Sequence, residues 1–222
     1  MAPRWQGWHV SGIEADEDRS AAALDIGAGD AVGGEHAAEG SFVATPVGQI
    51  PEMVVEALAV APGGVVTDVG GVKAPVVGAV ADPRFVGGHP MAGKEKAGIG
   101  HADIRLFRGR TWCIVAPDET HPSAVATVTQ LAIATGADPF TIDALSHDAV
   151  VAATSHLPFL VATALADATF TRSDWASLQP LASSGLRDTT RLASGDALMH
   201  RDICASNRVL IVKQIDQFLE RL

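Results

Sequence analysis

Basic charge is scarce in this chain: 16 Lys and Arg stand against 26 Asp and Glu, giving a formal net charge of −10 and a pI of about 5.1. That balance argues against nucleic acid or an anionic membrane as a partner, since both need a basic surface. An anionic ligand must instead be met by a local arginine. Cysteine is scarcer still. Cys113 and Cys204 lie far apart and make no metal-ligand spacing, so reduced thiols are expected, with no disulfide framework and no metal. The first ten residues lack the apolar core of a signal peptide, and no apolar run is expected to reach the roughly 18 residues of a membrane span. The cytoplasm is therefore the expected compartment. What the chain does have is apolar content, 47% over 222 residues, enough for one large or two modest domains with a substantial core.

The first half alternates strand and helix signals. Trp8 to Glu14 reads as a short strand, and DEDRSAAALDIGAG as a helix with an acidic first turn and a stop at Gly27. Further strands are expected at GSFVA, Val65–Val69, Arg84–Gly87, Thr111–Pro117 and Pro139–Asp143, with helices starting near Pro51, after Pro75, and over His121–Gly136. This order predicts a mostly parallel sheet whose ligands gather at the carboxyl ends of the strands, where ATPVG, TDVGGVK and GGHPMAG all fall. In dinucleotide-binding folds an acid at the tip of the second strand meets the adenosine ribose; Glu14 stands there, and an exposed surface acid is the equal alternative. Such folds open with a strand and a G-x-G-x-x-G turn. The chain contains no such turn, since Gly27-Ala28-Gly29 and Gly33-Gly34 are wrongly spaced. The expectation is an incomplete Rossmann-like domain that begins at its second strand, with Arg4–Gly7 as the tail of a first helix. Weak or absent NAD binding, negligible activity and poor solubility are expected to follow.

The run from Phe85 to Lys96, FVGGHPMAGKEK, places His89 after two glycines and before Pro90, which reads as an imidazole aimed by a loop for acid–base work near neutral pH. This run resembles the GGHP-M/I-AG-x-E-K signature of the prephenate and arogenate dehydrogenases. ATPVG and TDVGGVK resemble the segments that line the nicotinamide and substrate sites in that family. The resemblance therefore implies His89 as the catalytic base, and Thr45, Pro46, Asp68 and Gly70 as cofactor-binding residues beside Glu14. It implies NAD as cofactor, because Glu14 would repel the 2′-phosphate of NADP. Glu95 is implied as a substrate-side acid, with a solvated loop acid as its alternative. One departure is Gly71, where the family usually has serine.

From Ala144 onward the text is helical. A domain boundary is expected near Asp143, which can cap the next helix, dividing the chain into a nucleotide-binding domain, residues 1–143, and a helical substrate and dimerisation domain, residues 144–222. HDAVVAATSHLPFL resembles the family's HD-x-VVA-x-SHLPH run, with Phe159 in place of its last histidine and a kink expected at Pro158. His147 and His156 read as core histidines, with a substrate-side role for His156 as the alternative. GLRDTTRLASGDALMHRDICASNR resembles GF-R/K-D-x-TR-IA-x-x-x-P-x-MWRDI-x-x-x-N, with His200 at the tryptophan. On that match Arg191 binds a substrate carboxylate through its planar fork and Asp188 orients it; a surface ion pair is the alternative. Cys204, Ile211, Ile215, Phe218, Leu219 and Leu222 form an apolar helical stripe that reads as cut short and as part of a homodimer interface. The reading is a prephenate dehydrogenase-like oxidoreductase acting on prephenate or arogenate. Another NAD-linked hydroxy-acid dehydrogenase and a non-catalytic remnant stay open beside it.

Overall fold

Alternating strand residues build the first half of the molecule, a computed structural model that describes residues 8–33, 38–94 and 98–222. The expectations for Arg4–Gly7 and Glu95 concern residues outside that set. Five strands pair in sequence order: β3 (Gly40–Val43), β4 (Val65–Asp68), β5 (Phe85–Pro90), β6 (Thr111–Val115) and β7 (Asp138–Thr141). A separate two-stranded ladder joins β1 (Ser11–Gly12) and β2 (Ala31–Val32) in parallel around helix α1 (Glu17–Asp25). The expected strand Trp8–Glu14 thus shrinks to two residues. Its described partner is only two residues long, and Ile13 beyond it is 87% exposed.

The pleat sends neighbours to opposite faces. Phe85 joins Val43, Val66 and the α2 (Ile50–Val60) and α3 (Ala74–Ala79) side chains on one face; Val86 joins Trp112, Ile114 and α4 (Pro122–Ala134) on the other. On α2 the buried residues are Ile50, Val54 and Leu58, and on α4 Ala124, Val128 and Ala132, one per helical turn. Fully burying a side chain such as Ile50 contributes about 1.5–3 kcal/mol. Local chemistry sets the helix ends: Asp16 Oδ1 accepts the Arg19 N–H at 3.0 Å, and Gly27 ends α1 with φ +68°.

The sheet is mostly parallel as expected, and one expectation about it needs correction. The pairing is parallel except between β5 and β6, which run antiparallel with His89 opposite Cys113 and Pro90 opposite Trp112. In consequence the strand expected to stop at Gly87 continues through His89, which stands on a hydrogen-bonded ladder and not on a loop. Pro90, lacking an N–H, falls at the last strand residue, where the loss is tolerated.

Asp143 Oδ1 accepts the Ser146 N–H at 2.9 Å and starts a continuous helical stretch of α5 (Ala144–Val151), a π-helical turn (Ala152–His156) and α6 (Leu157–Phe170). Pro158 sits as a first-turn residue of α6, and the interruption expected there takes the form of the π turn before it. By length and composition these 27 residues are apolar enough to cross a membrane, contrary to expectation. Their polar members argue against a bilayer, because His147, Asp148 and His156 are buried against protein. Shorter helices follow: α7 (Trp175–Leu178), α8 (Ser184–Thr190), α9 (Ala197–Ser206) and α10 (Arg208–Leu219). The stripe expected from Cys204 to Leu222 is therefore broken. Asn207 separates α9 from α10 because its side-chain amide donates to the Asp148 carbonyl at 2.8 Å, a long-range bond that local periodicity does not reveal.

Candidate active site

The carboxyl ends of β3 and β4 and the end of β5 bring the strand-end motifs together. Asp68, the last residue of β4, is fully buried and accepts N–H bonds from Gly70 at 2.8 Å and Gly88 at 3.0 Å, so it ties the residue before His89 to its own strand. Gly88 has to be glycine, since a Cβ there would lie 2.4 Å from the Asp68 carbonyl oxygen. The third donor to Asp68 is the ammonium of Lys73, itself fully buried. Burial pushes the Lys73 pKa down, and Asp68 and then Asp148 oppose that shift.

From Lys73 the polar chain crosses to the helical half. Asp148 accepts the Lys73 N–H at 2.7 Å on Oδ1 and the Ala74 N–H at 2.8 Å on Oδ2, holding the start of α3. His147 Nδ1 lies 2.8 Å from Asp148 Oδ1, and His147 Nε2 lies 2.9 Å from His89 Nδ1. The two imidazoles meet edge to face, centroids 5.1 Å apart. His89 Nε2 looks toward Gly71: a Cβ built there would sit 3.8 Å from it and 3.6 Å from Ile203 on α9. The glycine that stands where the family usually has serine thus leaves that nitrogen without the side-chain contact a Cβ would make.

The expected near-neutral pKa of His89 is corrected. Burial pushes it down to about 3, with Lys73, His147 and His156 pushing the same way. His89 is therefore a neutral hydrogen-bond acceptor throughout the physiological range. His156 is buried, its Nδ1 3.3 Å from the Asn207 amide; burial brings it to about 4, with His147 and His200 adding to the shift and Asp148 opposing it.

Thr45 Oγ1, at the end of β3, is buried and has no hydrogen-bond partner among the described residues. An orphaned hydroxyl at a strand end fits a bound polar ligand such as a nicotinamide amide. Pro46 follows it and leads into the turn before α2. Glu14 stands beyond the end of β1, between it and α1, exposed, its Oε1 accepting the Asp16 N–H at 3.1 Å. Arg191 and Asp188 lie exposed on the helical half, and the Asp188 carboxylate accepts from its neighbour Arg187 at 3.1 Å. His200, which stands at the family's tryptophan, has an aromatic partner. It stacks on Phe159 with ring centroids 3.5 Å apart and planes 12° from parallel, so the two replaced aromatic positions pair with each other.

Sequence reasoning missed Lys73, His147 and Asp148 as members of the site. The available signals were a lysine closing the TDVGGVK loop and an adjacent His-Asp pair starting the helical half, each meaningless until 75 residues of separation between Lys73 and Asp148 are closed.

Comparison with known proteins identifies the family. Residues 3–139 match the family model described as prephenate dehydrogenase, nucleotide-binding domain, and residues 143–222 match prephenate dehydrogenase, dimerization domain. The prephenate dehydrogenase of Bacillus subtilis is 31% identical over 233 residues, covering 97% of this chain and 62% of that protein. The chain thus spans under two thirds of that relative's length, and 44% of the Lactococcus lactis prephenate dehydrogenase, to which it is 30% identical over 71% of its own length. Among solved structures, prephenate dehydrogenase from A. aeolicus in complex with hydroxyphenyl propionate and NAD+ superposes with a TM-score of 0.91 at 26% identity, covering 99% of this chain and 82% of that one. Arogenate dehydrogenase from Synechocystis gives 0.81 at 26% identity, covering 99% and 83%. The architecture is accordingly a Rossmann-like nucleotide-binding domain followed by a helical dimerization domain, and the chain belongs to the prephenate dehydrogenase family.

Proposed function

We propose that the chain carries the site of an NAD-dependent oxidative decarboxylation of prephenate or arogenate, divided near Asp143 between a nucleotide-binding and a helical domain. The observation that carries this reading is His89: a half-buried, neutral imidazole whose Nδ1 is engaged by His147 and whose Nε2 faces Gly71. As the C4 hydroxyl of the substrate becomes a carbonyl, Nε2 accepts its proton, and the ring loses carbon dioxide as it turns aromatic. NAD, when bound, supplies the acceptor for the hydride that leaves C4. Thr45, Pro46 and Gly70 are the residues that would hold it at the strand ends, with Glu14 toward the ribose; Asp68, fully buried and bonded to Gly70, Gly88 and Lys73, supports that loop from beneath. Arg191 takes a substrate carboxylate, with Asp188, Glu95 and His156 on the substrate side. Two supports apply to a homodimer: the match to a dimerization domain, and an apolar helix of which only 22% of the most apolar window is buried within one chain.

The test is formation of NADH on adding prephenate or arogenate. A protein limited to these 222 residues carries no G-x-G-x-x-G turn to cradle the pyrophosphate, and for it NAD is expected to bind weakly and the rate to keep rising with NAD concentration without saturating in the micromolar range. Micromolar affinity by calorimetry would contradict this account of the cofactor site. No NADH with either substrate at the highest NAD concentrations would favour a non-catalytic protein, and turnover of simple hydroxy acids alone would favour another dehydrogenase.

For Arg191→Ala the substrate KM is expected to rise roughly 10- to 100-fold with a smaller change in kcat, since a charge-assisted contact is worth about 1.5–3 kcal/mol. An unchanged KM would make Arg191 a surface residue.

A further inference from the structure

We infer that His147 and Asp148 are positioning residues that fix the tautomer of His89, so that the helical domain decides which nitrogen of the base is free. The inference rests on reading His89 as the base, and its evidence is the direction of successive hydrogen bonds. Each oxygen of the Asp148 carboxylate already receives a backbone N–H, Lys73 on Oδ1 and Ala74 on Oδ2, so Asp148 is an acceptor on both. The contact at 2.8 Å is then donated by His147 Nδ1–H. A neutral imidazole with its hydrogen on Nδ1 bears a lone pair on Nε2. His147 Nε2 must therefore accept at 2.9 Å, and the donor is His89 Nδ1–H. The remaining nitrogen, His89 Nε2, carries the lone pair that faces Gly71.

Each link is held in place. His147 is 2% exposed and Asp148 1%, which leaves no room for water to supply a competing donor or acceptor. The Asp148 backbone carbonyl is gripped in turn by Asn207. The groups facing His89 and His147 in this network are Lys73, Asp68, Asp148 and His156, with Cys113 across the ladder, and none offers Nδ1 of His89 an alternative acceptor in the bonds described. The logic is that of the carboxylate in a serine protease triad, where the wrong tautomer costs about 10⁴ in turnover although the geometry survives. Here the relay has one more member, and its carboxylate also holds α3.

The test combines a tautomer measurement with kinetics. In the unaltered protein, long-range ¹H–¹⁵N correlation spectra are expected to show His89 and His147 both protonated at Nδ1. In His147→Phe the acceptor is gone: the His89 signals are expected to shift toward the Nε2–H form, and kcat to fall by about 100-fold or more, with KM within about threefold. His147→Gln places an amide oxygen near the former Nε2 and is expected to recover most of the lost turnover. An unaltered protein with His89 protonated at Nε2 would overturn the inference, as would a folded His147→Phe variant that keeps both the Nδ1–H signature and near-normal kcat. If His147→Phe does not fold, the spectrum of the unaltered protein decides alone. That spectrum needs no turnover, so Nδ1–H on both rings in a protein inactive on prephenate and arogenate would leave the relay standing and remove only the proposed reaction.

Discussion

Replacing His89 by asparagine is expected to lower turnover by about 10² to 10⁴-fold, the usual value of a positioned general base, while the affinity for NAD changes little. The amide keeps part of the polar shape but cannot accept the C4 proton. The low proton affinity of His89 adds a pH signature. Its pKa is depressed from 6.5 to about 3, so the base stays in its competent neutral form as pH falls through 6.5 and is lost only near 3. The profile of kcat/KM is therefore expected to show no inflection from His89 between pH 5 and 8. Near-normal turnover in His89→Asn would remove the residue from the mechanism, and an acid limb near 6.5 that disappears in the variant would show that the free site is wetter than its burial implies.

The second large effect concerns stability. Lys73→Met keeps length and volume but removes the cation paired with Asp68, and both side chains are fully buried. Breaking a buried ion pair from one side typically costs about 3–5 kcal/mol, because the remaining charge is desolvated and uncompensated. The Gly70 and Gly88 N–H donors soften that loss without cancelling it. Against a total stability of about 5–15 kcal/mol for a native protein, the variant is expected to unfold at markedly lower urea or not to fold. Adding Asp68→Asn to Lys73→Met is expected to recover part of the difference. A midpoint equal to that of the unaltered protein would mean that Asp68 does not depend on Lys73.

These two residues also mark how far the sequence could be read. His89 was legible because its neighbours are: two glycines, a proline and a strand end announce a close approach, and the ordered motifs together announce the family. Its setting was not. The antiparallel partner β6 begins only at Thr111, and nothing local states that the strand runs on through Pro90. Lys73 illustrates a different limit. A lysine in a glycine-rich loop reads as solvated, and what buries it is an aspartate five residues before and another 75 residues after. Helix ends were readable where the cap is local, as at Asp16, Gly27 and Asp143. They were not where the cap is distant: Asn207 interrupts an apolar stripe by reaching a carbonyl 59 residues away. The proton affinity of His89 was misjudged for the same reason, since it is set by burial and by Lys73, His147 and His156.

The π-helical turn at Ala152–His156 has a consequence for how the long helix divides its surface. Successive α-helical residues are separated by about 100° around the axis, and a widened turn offsets the angular phase of everything beyond it. Upstream of it His147 and Asp148 point at the sheet; downstream, Phe159 meets His200 and Ala162 is buried among the helices. A uniform α-helix through the same residues would put one of these two sets out of phase. Shortening the segment by a single residue would thus turn Phe159 by about a quarter of a circle relative to His147, separating the Phe159–His200 stack from the His89–His147 contact without altering any residue of either.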